Sequence, residues 1–92
     1  MTKLIICGLW DSAVQAYTRP IFVQAAGQAL RSFIDEVNRA DKDNNLHNHP
    51  EDFELRYLGE WDDETGAFSV GDSHASVLAR GKDVINPGGN QP

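Results

Sequence analysis

Residues 3–10 alternate between two apolar sets: Leu4, Ile6 and Trp10 on one side of an extended chain, and Ile5, Cys7 and Leu9 on the other. A strand that is greasy on both sides asks for cover on both. Asp11 and Ser12 break the pattern and open a loop. Residues 17–23 read as a second extended segment, in which Pro20, lacking an amide hydrogen, belongs at a strand start or an edge. From residue 24 to 40 the period changes. Ala26, Leu30, Phe33, Ile34 and Val37 fall at i, i+4, i+7, i+8 and i+11, one stripe of an α-helix. Arg31–Asp35 and Asp35–Arg39 are opposite-charge pairs at i,i+4 on its outer side. Gly27 is a weak spot in the first turns, costing about 1 kcal/mol relative to Ala. The polar run 41–45 ends the helix, and Pro50 blocks any continuation past His49.

Phe53, Leu55, Tyr57, Gly59 and Trp61 then alternate with Glu54, Arg56, Leu58 and Glu60, the pattern of a half-buried strand. Residues 62–66 form a tight turn with Gly66 where a positive φ is needed, and 67–70 return as its hairpin partner. Residues 73–80 read as a short helix, capped by Asp72 or Ser73 and ended by Gly81, with a strand over 75–78 as the competing assignment. Residues 84–85 add a last short strand. The order is ββαββ plus a short C-terminal element. That is an α+β fold in two layers, a small, mostly antiparallel sheet of about four strands with one long helix. Residues 1–85 form a single domain and 86–92 a flexible C-terminal tail. One helix covers one face of such a sheet. The other face of the first strand is then closed either by the C-terminal segment or by a second copy of the chain, and a homo-oligomer is the expectation.

Size and charge narrow the picture. Ninety-two residues make one domain, marginal alone because a chain this short buries only about 60–65% of its unfolded surface. The single Cys7, inside an apolar run, excludes a disulfide framework, suits a reducing cytoplasm and reads as a small buried side chain. Lys3 and the short apolar run after it do not read as a secretory leader, and no stretch is long enough to span a bilayer. Residues 1–46 carry five acids and five bases, whereas 47–92 carry nine acids and three bases, giving −6 overall. Between Glu51 and Glu64 there are seven acids and one base, Arg56. Such a surface repels phosphate backbones, which argues against strong non-specific DNA affinity.

Three constellations bear on chemistry. His47, His49 and Asp52 have the residue types of a zinc site, but the pattern is weak, and imidazoles capping a helix-to-strand connection account for it; no metal and no cofactor is expected. His74 stands elsewhere. The acids Glu51, Asp52, Asp62, Asp63 and Glu64 lie in a turn or at strand ends, where carboxylates are solvated, and no phosphate loop accompanies them. No Ser-His-Asp or Cys-His order with recognised flanks appears, so no catalytic residue is assigned. The remaining set is bases with aromatics: Trp10, Tyr17, Arg19 and Phe22 early, Arg80 and Lys82 late. With the first two strands side by side, these would line a face that stacks single-stranded bases. Tyr17, Arg19, Arg80 and Lys82 are the nucleic-acid-binding candidates, Trp10 and Phe22 being read as core. Arg19→Glu is expected to abolish retention of an oligonucleotide.

The run from Arg31 to Ala40 and the hexapeptide Asn48-His49-Pro50-Glu51-Asp52-Phe53 carry a resemblance. So do Lys3-Leu4-Ile5-Ile6-Cys7, Asp11-Ser12-Ala13, Arg19-Pro20, Asp62-Asp63-Glu64-Thr65-Gly66 and Arg80-Gly81-Lys82-Asp83-Val84. Through them the chain resembles the small nonstructural protein of the gokushoviruses, microviruses of bacteria with a circular single-stranded DNA genome. The resemblance implies a non-capsid, non-enzymatic role in viral DNA synthesis or packaging in the host cytoplasm, with single-stranded DNA or replication proteins as partners. It implies no catalytic residues. The acidic half suggests an alternative, an adaptor that docks a basic host or viral protein.

Overall fold

Two long strands, one near the start of the chain and one just past its middle, organise the molecule. A computed structural model describes residues 3–70 and 76–86. In chain order its elements are β1 (Lys3–Asp11), β2 (Ala16–Tyr17), β3 (Ile21–Val23), α1 (Ala26–Val37), α2 (Asn45–Asn48), a 3₁₀ turn (Pro50–Asp52), β4 (Phe53–Asp62), β5 (Phe68–Ser69), β6 (Ser76–Arg80) and α3 (Gly81–Val84). β1 and β4 are antiparallel from the Lys3–Asp62 pair to the Asp11–Phe53 pair. β2 and β3 share the free edge of β1, and β5 and β6 the free edge of β4, all antiparallel. The expected four strands are therefore four columns, the outer two each broken in half. On the β1 side the break is chemical: the Thr18 amide still donates to the Leu9 carbonyl, at 2.8 Å, but Pro20 has no amide hydrogen to give the ladder, which lapses at Arg19 and Pro20.

One face of the sheet is covered. Cys7, Phe53 and Leu55 meet Ala29, Phe33 and Val37 of α1 in a buried cluster, with Leu30, Leu46, Ala79, Val84 and Ile85 packed round it. Cys7 is fully buried, as its place in an apolar run implied. The centre of the helix stripe is Ala29–Phe33–Val37, rotated from the expected one, so that Ala26 and Ile34 are only half-buried. Gln28 starts the helix by accepting the Gln24 and Ala25 amides on Oε1, at 2.8 and 3.2 Å. The outer pairing also differs from expectation: Arg39 bonds Glu36, at 2.6 Å, and Asp41, at 3.1 Å, and not Asp35.

The exit from α1 is more ordered than a polar loop. Buried Asn44 donates to the carbonyls of Glu36 and Arg39, at 2.8 and 2.9 Å, and accepts the Leu46 amide, at 3.1 Å. One side chain thus closes α1 and opens α2. The last residues correct two readings. Residues 76–80 are strand, close to the competing assignment over 75–78 and not the preferred helix, because the free edge of β4 supplies ladder partners that override a weak local preference. Residues 81–84 are a helical turn where 84–85 had read as strand. α3 is tied to α1 through Asn38, whose Nδ2 donates to the Val84 carbonyl, at 3.0 Å, and whose Oδ1 accepts the Asn86 amide, at 2.7 Å. The expected tail is thus fastened at its first residue; 87–92, His74 and the caps at Asp72 and Ser73 lie outside the described residues.

No element among the described residues crosses the second face, although Ile6 at its centre is buried beneath its neighbours. Among the described residues, the C-terminal segment forms a sheet edge and packs on the α1 side, so it does not cross that face.

Candidate nucleic-acid interface

The bare face owes its side chains to strand register. Directly paired residues share a face, so the pairs Leu4–Trp61, Ile6–Phe22, Trp10–Tyr17, Trp10–Glu54, Trp61–Phe68 and Glu54–Arg80 put all of these on the side away from α1. Trp61 arrives there because of an irregularity. Ile6 pairs with Gly59 and Cys7 with Tyr57, which leaves Leu58 as a bulge and flips the alternation beyond it. The sequence pattern had put Trp61 on the same side as Phe53. Gly59 makes the flip feasible: its φ is +151°, and a Cβ there would run into the Ser69 carbonyl oxygen. Gly8 leaves room of another kind, since a Cβ at that position would meet Leu58 and the Tyr17 ring.

Two aromatic groups result. At one end Phe22 stands edge-on to Trp61, centroids 5.7 Å apart, and to Phe68, at 6.4 Å. At the other Trp10 and Tyr17 are 5.0 Å apart and tilted. Phe22 and Trp10 sit against positions four residues apart on β1, so the groups are about 13 Å apart along the strand. Tyr17 (40%), Phe22 (43%) and Phe68 (67%) remain exposed, which corrects the reading of Phe22 as core. Trp10 is half-buried, beneath an arginine that sequence reasoning passed over.

That arginine is Arg56. Its guanidinium lies 5.0 Å from the Trp10 ring centre and 5.7 Å from that of Tyr17, and it donates to the Tyr17 hydroxyl at 2.9 Å. Its Nε and Nη2 both donate to Glu54 Oε1, at 2.9 and 2.7 Å, while Arg80 Nε donates to Glu54 Oε2 at 3.2 Å. Glu54 and Arg56 are about three-quarters buried at their side chains, Arg80 about half. The Arg56 guanidinium first, then Arg80, holds the Glu54 carboxyl below its ordinary value, and the bond to Tyr17 leads the causes that raise Arg56.

The candidates therefore separate. Tyr17 and Arg80 join one network through Arg56 and Glu54. Arg19 lies in the unpaired stretch between β2 and β3 and Lys82 on α3, and neither side chain has a partner among the described residues. Glu54 and Arg56 were legible as an alternating acid and base, but only the β1–β4 register shows that they flank Trp10.

The histidine constellation also rearranges. His47 Nδ1 lies 3.0 Å from the Val37 carbonyl, where it helps finish α1, and so turns away from the proposed set. The 3₁₀ turn instead gathers His49, Glu51 and Asp52, their ligand atoms within 4.8 Å of one another, exposed but for half-buried Asp52. The acidic run divides too: Glu51 and Asp52 precede β4, and Asp62, Asp63 and Glu64 follow or end it, about 30 Å away along the strand. Cys7 has no such access. Burial pushes its thiol up, away from the thiolate a nucleophile needs.

The family profile described as Phage ORF5 protein matches residues 4–84, nearly the whole described domain. The chain belongs to that family. Protein ORF5 of Chlamydia phage 1 is 45% identical to it over 40 residues, 44% of this chain and 42% of the relative. The alignment thus spans less than half of that curated relative. Both findings agree with the gokushovirus resemblance, and the matched span carries the bare face from Leu4 to Arg80. No solved structure matches the chain.

Proposed function

We propose that this Phage ORF5 family member is a non-enzymatic accessory factor for single-stranded DNA replication or packaging in the host cytoplasm. In this reading it holds single-stranded DNA on the bare face of its sheet. The observation that carries it is the union on one face of exposed Tyr17, Phe22 and Phe68 with Arg56 and Arg80, in a chain of net charge −6. Exposed rings stack bases of any sequence, each worth about 1–3 kcal/mol, and guanidinium groups hold the backbone between them. Of the paired strand residues facing that way, Glu54 is the acid, and it is occupied by two arginines. The surface that meets DNA is thereby spared the repulsion that the rest of the chain would exert.

Arg56 takes the central place that the sequence had suggested for Arg19. A second copy of the chain is the competing occupant of the same face, so the self-associated mass should change when oligonucleotide is added. The acidic adaptor is the weaker reading, because it needs one contiguous patch and the two acidic groups stand at opposite ends of β4.

The test is a fluorescent oligothymidylate titrated at low and moderate salt. Phe22→Ala and Phe68→Ala should each weaken binding about tenfold or more while leaving the melting midpoint near that of the parent. Variants that bind as the parent does would place DNA elsewhere.

A further inference from the structure

The acid on the bare face occupies a telling position. Glu54 presents one carboxylate oxygen to Nε and Nη2 of Arg56, at 2.9 and 2.7 Å, and the other to Nε of Arg80, at 3.2 Å. The two guanidinium groups come from different strands, β4 and β6, and converge on a single anion. Arg56 is further immobilised by the Trp10 ring beneath it, 5.0 Å away, and by its bond to the Tyr17 hydroxyl. An anion that bridges two arginines through two oxygens is also how a phosphodiester is gripped, since its pair of non-bridging oxygens substitutes for those of a carboxylate. Arg56 does not depend on Glu54 alone for its placement, since it also has the two rings; the β4–β6 ladder brings Arg80 alongside, and its guanidinium bonds Glu54.

We infer that Arg56 and Arg80 form a phosphate subsite and that Glu54 is its resident stand-in, filling the site until a nucleic-acid phosphate displaces it. This rests on the proposal that the bare face holds single-stranded DNA, and it adds a regulation to it. The carboxylate keeps the two guanidinium groups aligned and partly dehydrated in the absence of ligand. It also sets a threshold, because only a strand that gains stacking on the neighbouring rings can turn it out. Free phosphate or an isolated sugar-phosphate chain gains no such stacking and competes poorly. Glu54 would thus convert a general attraction for phosphate into selectivity for unpaired nucleotides.

The experiment compares the parent with Glu54→Gln on two probes, a fluorescent oligothymidylate and the same sugar-phosphate chain without bases. Gln keeps the shape and one acceptor oxygen, replaces the other with an amide NH2 that donates, and removes the charge. The variant should bind both probes more tightly, by about tenfold at low salt, with the larger relative gain on the abasic chain. Its salt slope should steepen by about 0.7 for each phosphate newly held. Adding Arg80→Gln, at an exposed edge position that tolerates the change, should erase most of the gain. If Glu54→Gln binds thymidylate no better than the parent, or if the gain survives the loss of Arg80, the clamp is wrong, although the bare face would still hold DNA by its rings. If neither protein binds thymidylate even at low salt, the DNA reading falls and the clamp with it.

Discussion

The two faces of the sheet are built from the same strands and have opposite properties. Toward α1, Cys7, Phe53 and Leu55 are buried beneath a helix, and the stretch that follows it is pinned by Asn44 and His47. On the other side larger side chains stand open, and their order comes from ring contacts, two bulges and two ion pairs that share Glu54. The first face is organised by what it excludes from water. The second keeps aromatic area in water, and a monomer gains nothing from that unless a ligand or partner covers it. The contrast locates stability on one face and leaves the other as the place for a ligand or partner to cover.

The most direct way to break this comparison is to remove one phenylalanine from each face. Phe33 is 5% exposed and central to the helix stripe, so Phe33→Ala should cost about 3–5 kcal/mol, a large part of the total stability of a domain this size. Phe22, 43% exposed, should cost under about 1 kcal/mol when changed to Ala. Urea denaturation of the two variants measures the difference. Comparable losses would mean that the bare face is a second core.

A smaller effect is expected at Gly59. Alanine there must adopt a φ near +151° with its Cβ against the Ser69 carbonyl, which should cost about 2 kcal/mol or more. Because the strain falls at the bulge that turns Trp61 toward Phe22, tryptophan fluorescence should change along with the unfolding midpoint. A lower midpoint with an unchanged spectrum would show that Trp61 is held by its strand and not by the bulge.

Much of the covered face was legible from sequence because it obeys simple periods. The two-sided strand 3–10, the helix around Phe33 and the strand beginning at Phe53 all follow from spacing, and Gly66 does sit at a positive φ, +76°. What could not be read depends on register. Leu58 as an extra residue moves Trp61 to the other face, and no local pattern announces a bulge. Arg56 looked like the lone base in an acidic run until pairing set it against Trp10 and Tyr17. The C-terminal strand and turn exchanged places with the expected helix and strand for the same reason: the edge of β4 decided residues 76–80, not their own preference.

The smallest expected effect concerns acid. Glu36 and Asp41 near the end of α1 and Glu54 on the bare face all have carboxyls held below their ordinary values, the first by bonding to Arg39, the second chiefly by the Asp43 amide and the third by Arg56. A carboxyl lowered in the folded state binds fewer protons there than in the unfolded chain. The stability it contributes is therefore fully present above its ordinary value, 4.5 for Glu54, and is lost as pH falls through the folded value. Because the Glu54 ion pair is still partly solvated, its share should be under about 1 kcal/mol. Chemical denaturation of the parent from pH 6 down to pH 3 or so should show the loss below 4.5. In Glu54→Gln the acid limb should be shallower by that share, with the remainder left to the α1 end. An identical limb in both proteins would mean that the Glu54 ion pair adds no stability to the folded state, and that the acid limb belongs to the α1 end alone.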